Sequence, residues 1–174
     1  MGAWKCANDT SATNIENGLL FAYNRSLAVY RCPSDRSTAP AQPNLLRARS
    51  YSLNYHLNTE ENGSFDSHVI RKFTQLVKLP PVKVFCFLDV NEQSIGTGDF
   101  LIPHFPHPNN PNGTAWGDTP SDRHNLGANL SFADGHAEHY RWRWPKRFTA
   151  LFQEAANAQD LRDLRRMQAG NPTN

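Results

Sequence analysis

The fold is decided by one stretch, ANLSFADGHAEHYRW at residues 128–142. Residues 128–133 and 136–142 have the composition of two β-strands. Asp134-Gly135 lies between them, and this dipeptide is preferred in type I′ turns, whose twist matches that of the flanking strands. The stretch therefore predicts a β-hairpin, the basic unit of an antiparallel sheet.

Two segments upstream predict further strands. Residues 82–90, VKVFCFLDV, are rich in β-branched and aromatic side chains, as a central strand should be. Residues 51–57 alternate between apolar and polar, which is the period of a half-buried strand. Residues 27–30 predict another short strand, which follows a helical turn at residues 19–23.

The rest of the chain is expected to form loops and a helical end. Residues 37–44 and the Pro-rich segment 91–123 predict irregular structure on the surface. Near the C-terminus, apolar residues fall at helical spacing but on two different faces. The spacing predicts two helices, one ending near Asn157 and a second that is capped by Asp160 and runs through Arg166.

The composition is typical of one globular, loop-rich domain that spans residues 1–174. Of the 174 residues, 39% are hydrophobic and 20% are charged, which is enough to bury a core without depending on disulfides. The formal net charge of +2 does not demand a nucleic-acid partner. The apolar runs are too short to span a bilayer and the first residues do not read as a signal peptide, so we expect no targeting signal in this sequence.

The hairpin contains residues that are common metal ligands. His124, Asp134 and His136 supply imidazole and carboxylate groups, which suit zinc and other transition ions, and they are the residues of a possible metal-dependent hydrolase. In a strand that begins at His136, however, Glu138 lies on the same face and His139 on the opposite face. The alternative is that Asp134-Gly135 simply forms the turn and His124 bonds a loop backbone.

A second polar cluster follows the predicted central strand. Asp89 and Glu92 lie close together in the sequence, and oxygen ligands of this density are typical of calcium sites. The spacing is not that of an EF-hand, and a carboxylate at a strand end often caps loop amides instead. The candidate ligands for a divalent cation, calcium or zinc, are Asp89, Glu92, His124 and Asp134.

The chain has three cysteines. Cys6 and Cys32 both follow an aromatic and a basic residue, and an oxidising compartment would permit a bridge between them. Sequence spacing does not show that their Cα atoms come within bonding distance. Cys86 lies inside the predicted central strand and is expected to be an inert core residue.

No known catalytic motif is present. The sequence lacks a Gly-x-Ser-x-Gly nucleophile elbow, a His-Glu-x-x-His helix, a phosphate loop and a dinucleotide fingerprint. The four tryptophans suit a partly wet glycan- or protein-binding surface, although core packing explains them equally well. A secreted binding module is therefore an alternative to an enzyme.

Four segments together resemble one bacterial family. RHNLGANLSFADGH, at residues 123–136, resembles the His-x9-Asp-Gly signature of prepilin-type proteins, a planctomycete-type family similar to type II secretion pseudopilins. Three further segments match this family in order. These are VYRCPSD at residues 29–35, RSYSLN at residues 49–54 and the strand end FLD at residues 87–89.

The resemblance implies an α+β fold, with an antiparallel β-sheet head of pilin-like type, long irregular loops and C-terminal helices. Residues 1–145 would form the family-like head and residues 146–174 a helical tail. Family members begin with a long hydrophobic helix, and we expect this N-terminal pilin helix to be absent from the chain. The resemblance implies that six motif residues are important to the structure of the head: His124, Asp134, Gly135, Cys32, Pro33 and Asp35.

The function implied by the resemblance is that of a non-enzymatic structural or assembly subunit of a pilus-like or type II secretion-like cell-envelope apparatus. Its location would be the bacterial envelope, periplasmic or extracellular. Its partners would be other pilin-like subunits or envelope proteins, with self-association expected. Contact with a membrane would occur only through the N-terminal helix that this chain lacks.

Overall fold

The computed structural model describes residues 10–57, 69–76, 79–103 and 109–172. Within these ranges, none of the helices is long and apolar enough to cross a membrane. The helices and strands are α1 (Thr13–Glu16), α2 (Phe21–Asn24), β1 (Thr38–Ala39), β2 (Gln42–Leu46), β3 (Tyr51–Asn54), β4 (Phe85–Asp89), β5 (Asp99–Phe100), β6 (Ala115–Trp116), β7 (Gly127–Phe132), β8 (Ala137–Arg141), β9 (Gln153–Glu154) and α3 (Ala158–Gln168).

A five-stranded sheet with the order β5-β3-β4-β7-β8 organises the domain. Its strands pair antiparallel except for β3 and β5, which are parallel. β4 lies in the middle, as its β-branched and aromatic sequence predicts. The structure confirms the predicted α+β class and the mostly antiparallel sheet.

The predicted hairpin is formed by β7 and β8, but its turn is not type I′. The Gly135 amide donates to the carbonyl oxygen of Phe132 at 2.9 Å, and Gly135 has φ +93°. Asp134 does not have a positive φ, whereas a type I′ turn needs positive values at both central residues. The connection is a three-residue loop that places glycine in the left-handed position.

The core lies between one face of the sheet and α3. Leu88 and Leu130 are paired across β4 and β7, and Leu164 and Met167 of α3 pack against them. Trp116 completes the cluster and is 1% exposed. The apolar stripe of α3 is therefore what closes the sheet on this side.

In β3 the alternation is as predicted, but the polar side chains face inward. Ser52 and Asn54, and His56 just after the strand, are fully buried, while Tyr51 and Leu53 are only partly covered. Asn54 Nδ2 donates to the Phe85 carbonyl at 3.0 Å, and its Oδ1 accepts from the His56 amide at 3.0 Å. Such hydrogen bonds offset the cost of removing these polar groups from water.

Between residues 145 and 172 the structure has one helix, α3, so the prediction of two is wrong. Residues 148–152 are irregular and lead into β9, which pairs with β6. Phe152 has φ +57°, a left-handed conformation that cannot continue a right-handed helix. The cap of α3 is Asn157, whose side chain accepts from the amides of Gln159 and Asp160 at 2.9 and 3.1 Å.

Three other local expectations also differ from the structure. Residues Leu27–Tyr30 form a 3-10 turn and not a strand. The segment 37–44, expected to be a loop, contributes to the small β1-β2 hairpin. Cys86 is half-buried and not a core residue, because the register shifts between Phe85 and Phe87 and leaves the cysteine at a bulge.

Candidate metal centre

Three segments that are distant in sequence meet above the sheet face opposite α3. Cys32 follows the 3-10 turn Leu27–Tyr30, Asp89 is the last residue of β4, and His124 lies in the loop before β7. The Cys32 amide donates to Ser50 Oγ at 3.2 Å, which ties the cysteine segment to the residue preceding β3.

The three side chains converge on one point. Cys32 Sγ lies 3.2 Å from His124 Nε2, and the same nitrogen lies 3.0 Å from Asp89 Oδ2. All three ligand atoms are within 4.8 Å of one another, so this group could hold a metal ion.

Cys32 and Asp89 are 1% and 0% exposed, whereas the side chain of His124 is 21% exposed. Asp89 Oδ2 has no hydrogen-bond partner in the part of the chain that the structure describes. His124 Nε2 is close to this oxygen but its hydrogen-bonding direction is toward Cys32. The centre thus combines a buried, unsatisfied carboxylate oxygen with a route to solvent along the histidine.

Arg123 joins the centre to the surrounding acidic residues. Its guanidinium forms a close ion pair with Asp89 Oδ1, and it lies 3.1 Å from Glu92 and 3.7 Å from Asp35. It also donates to the Val90 carbonyl at 3.2 Å. Glu92 is therefore held by Arg123, and the structure does not place it among the three converging ligand atoms.

Asp35 organises the turn that carries Cys32. The Asp35 amide donates to the Cys32 carbonyl at 2.9 Å, and its carboxylate accepts from Ser50 Oγ at 2.5 Å and from the Ser37 amide at 2.9 Å. Burial by itself would raise the pKa of Asp35, but these hydrogen bonds and Arg123 hold it below its usual value. The turn Cys32–Asp35, with Pro33 inside it, is thereby fixed to the start of β3.

Burial also shifts the pKa values of the converging groups. It raises the pKa of Asp89 to about 7 in spite of Arg123, with Asp35 and Glu92 adding to the rise. Burial and Arg123 lower the pKa of His124, which favours the neutral imidazole. Burial raises the pKa of Tyr51, and the nearby Cys32 and Asp89 add to the rise, so the phenol remains protonated.

Asp134 and His136 lie elsewhere. They occupy the tip of the β7-β8 hairpin and bond each other at 2.5 Å, with side chains about one-third exposed. His124 is at the opposite end of β7, whose six residues span roughly 17 Å. The nine-residue spacing therefore separates His124 from Asp134, and the set His124, Asp134 and His136 does not form one site.

The arrangement differs from a nucleophilic triad. In such triads the nucleophile and the carboxylate contact opposite nitrogens of the histidine, so that the ring can pass a proton between them. Here Cys32 and Asp89 both face Nε2 of His124. The geometry suits shared coordination of a cation better than proton transfer.

Sequence reasoning placed Asp89 and His124 among the metal ligands but assigned Cys32 only to a motif or a disulfide. The one feature of the sequence that points to a role for Cys32 is its position in the family-like segment VYRCPSD, residues 29–35. Cys32 is a free cysteine in the structure, and Cys6 lies outside the described residues.

Comparisons of this chain with protein-family models, with curated proteins and with solved structures found no match.

Proposed function

We propose that this domain is a non-enzymatic assembly subunit of a pilus-like or type II secretion-like apparatus in the bacterial cell envelope, and that it associates with further copies of itself. It would act in the periplasm or outside the cell. The proposal combines the family resemblance with one observation on the sheet.

That observation is an apolar cleft on the sheet face opposite α3. The cleft has a volume of about 490 Å³. One wall is formed by residues 20–30 and the other by strands β4, β7 and β8. Leu20, Tyr23 and Val29 on its wall are 50%, 89% and 56% exposed. Contiguous apolar surface of this kind is typical of protein–protein contact sites.

The connected centre around Cys32 supports the resemblance. Each of the four segments that resemble the family contributes to it: Cys32 and Asp35 from the first, Ser50 from the second, Asp89 from the third and His124 from the fourth.

The cleft can be tested by a charge substitution. Val29→Asp places a carboxylate on the apolar wall, so it should abolish self-association because an interface core does not tolerate an unpaired charge. The measurement is sedimentation velocity over a range of protein concentrations. The wild type should form dimers or larger species, and the variant should remain monomeric.

The matched control is Val82→Asp. Val82 is 51% exposed and also lies in a 3-10 turn, but it does not line the cleft. This variant should associate like the wild type. A wild type that stays monomeric at every concentration would overturn the proposal of self-association.

The proposal includes a divalent cation, calcium or zinc, at the centre described above. The sequence predicts Asp89, Glu92, His124 and Asp134 as ligands. The proposed site keeps Asp89 and His124 from that set, and Cys32 takes the place of Glu92 and Asp134. The cation would have a structural role, since it would hold the cleft wall against the sheet.

A further inference from the structure

We infer that Cys32, Asp89 and His124 form a zinc site, with Sγ, Oδ2 and Nε2 as the ligand atoms and a fourth position open to water. The inference refines the cation of the proposed function. Its evidence is the geometry of these three side chains and does not depend on whether the domain assembles.

The distances fit tetrahedral zinc. Zinc bonds of about 2.0–2.3 Å place neighbouring nitrogen, oxygen and sulfur ligands roughly 3.3–3.6 Å apart. The observed separations are 3.2 Å between Cys32 Sγ and His124 Nε2 and 3.0 Å between His124 Nε2 and Asp89 Oδ2. The third pair, Cys32 Sγ and Asp89 Oδ2, lies within 4.8 Å, so both atoms can reach one ion beside His124 Nε2.

The unsatisfied oxygen is an independent indication of a ligand. Asp89 is 0% exposed, and its Oδ1 is bound by Arg123 while no donor is directed at Oδ2 among the residues that the structure describes. A buried polar atom without a partner is costly and uncommon in a folded protein. A cation between Asp89 and Cys32 would satisfy it.

The ligand set selects zinc over calcium. Calcium takes six or more oxygen ligands, whereas this centre offers one sulfur, one nitrogen and one carboxylate oxygen. Thiolate and imidazole are the ligands that zinc prefers. A calcium ion would leave Cys32 and His124 without a role.

The surrounding groups are those that orient metal ligands. Arg123 fixes the Asp89 carboxylate through its other oxygen, and Ser50 Oγ, which accepts from the Cys32 amide, holds the segment that carries the thiol. Such partners are a regular feature of protein metal sites. The partly exposed edge of His124 is where the fourth ligand, a water molecule, would enter.

The test is a titration of the full chain, freed of metal by a chelator and dialysed, with zinc chloride in a calorimeter. We expect one zinc ion per chain. Cys32→Ser should weaken binding by at least about 100-fold, because loss of an outer-shell partner alone costs about 10–100-fold. Cys86→Ser, at a half-buried cysteine outside the centre, should bind zinc like the wild type.

Cobalt chloride identifies the ligands directly. The cobalt-loaded wild type should show a thiolate-to-cobalt charge-transfer band and the intense visible bands of tetrahedral geometry. His124→Gln should lose the tetrahedral bands. If Cys32→Ser does not fold, the double variant Cys6→Ser/Cys86→Ser replaces it: Cys32 is then the one thiol of the sequence, and the thiolate-to-cobalt band should persist.

Several results would overturn the site. These are no zinc binding by the wild type, binding that Cys32→Ser leaves intact, binding of calcium in preference to zinc, or a Cys6–Cys32 disulfide in the purified protein. Because none of these readouts measures association, a monomeric protein that binds zinc would overturn only the assembly proposal.

Discussion

Asp118 shows how one half-buried carboxylate makes stability depend on pH. Its Oδ2 accepts from the Leu101 amide at 2.7 Å and its Oδ1 from Ser94 Oγ at 3.2 Å. Burial raises the pKa of Asp118 to about 7, and the charge of nearby Asp99 adds to the rise, while the two hydrogen bonds oppose it. The folded protein therefore binds this proton more tightly than the unfolded chain does.

Stability should consequently fall as the pH rises from about 4 to about 7. The contribution of Asp118 is complete below the usual carboxyl pKa and is lost as the pH passes through the raised value, with a magnitude of the order of 4 kcal/mol. Asp118→Asn should reduce this slope, as measured by urea unfolding across that range, and the slope that remains is that of Asp89, whose pKa burial also raises to about 7. Glu154→Gln, at an exposed position, is the control that should keep the whole slope. Parallel curves for Asp118→Asn and the wild type would contradict the prediction.

At the scale of elements, α3 depends on its cap. The helix has 11 residues, and Asn157 satisfies two of the amides that its first turn leaves without partners. The apolar face of α3 supplies Leu164 and Met167 to the core. The cap thus stabilises an element that the sheet requires.

Asn157→Ala should lower the free energy of unfolding by about 1 kcal/mol, the usual cost of losing an N-cap. Chemical unfolding followed by circular dichroism measures it. Gln159→Ala, at an exposed residue of the first turn, removes a side chain without removing the cap and should change stability by less than about 0.5 kcal/mol. Equal effects of the two substitutions would show that Asn157 does not act as a cap.

At the scale of the whole molecule, Lys146 connects α3 to the sheet. Its Nζ lies 2.6 Å from Asp160 Oδ1 and 2.7 Å from Asp163 Oδ2, and it is 5.1 Å from the ring centres of Trp116 and Trp142. All of these side chains are buried. The ammonium group of Lys146 therefore balances the negative charges of two carboxylates that are buried away from water.

Lys146→Met keeps most of the side-chain volume but removes the charge. It should destabilise the protein by about 3–5 kcal/mol, because it leaves both carboxylates of α3 buried without a cation. A thermal melt or urea titration measures the loss. Lys83→Met, at an exposed lysine, should have little effect. A Lys146→Met protein as stable as the wild type would show that the ion pair contributes nothing.

Short-range patterns were enough to predict several elements. The hairpin at residues 128–142 and the central strand at 85–89 follow from local composition, and alternation identified the strand at 51–54. The errors were also local in origin. Phe152 adopts a left-handed conformation that its residue type does not favour, so a helical pattern at residues 148–155 did not become a helix.

The sequence by itself determined the strand periodicity, the hairpin and the polar residues available for a site. Only the tertiary structure decided which of those residues meet. Cys32 and His124 are 92 positions apart and become neighbours through the pairing of β3, β4 and β7, whereas His124 and Asp134, only ten positions apart, are kept at opposite ends of β7. A strand extends roughly 3.3 Å per residue, so residues near in sequence are carried apart while sheet pairing joins distant ones.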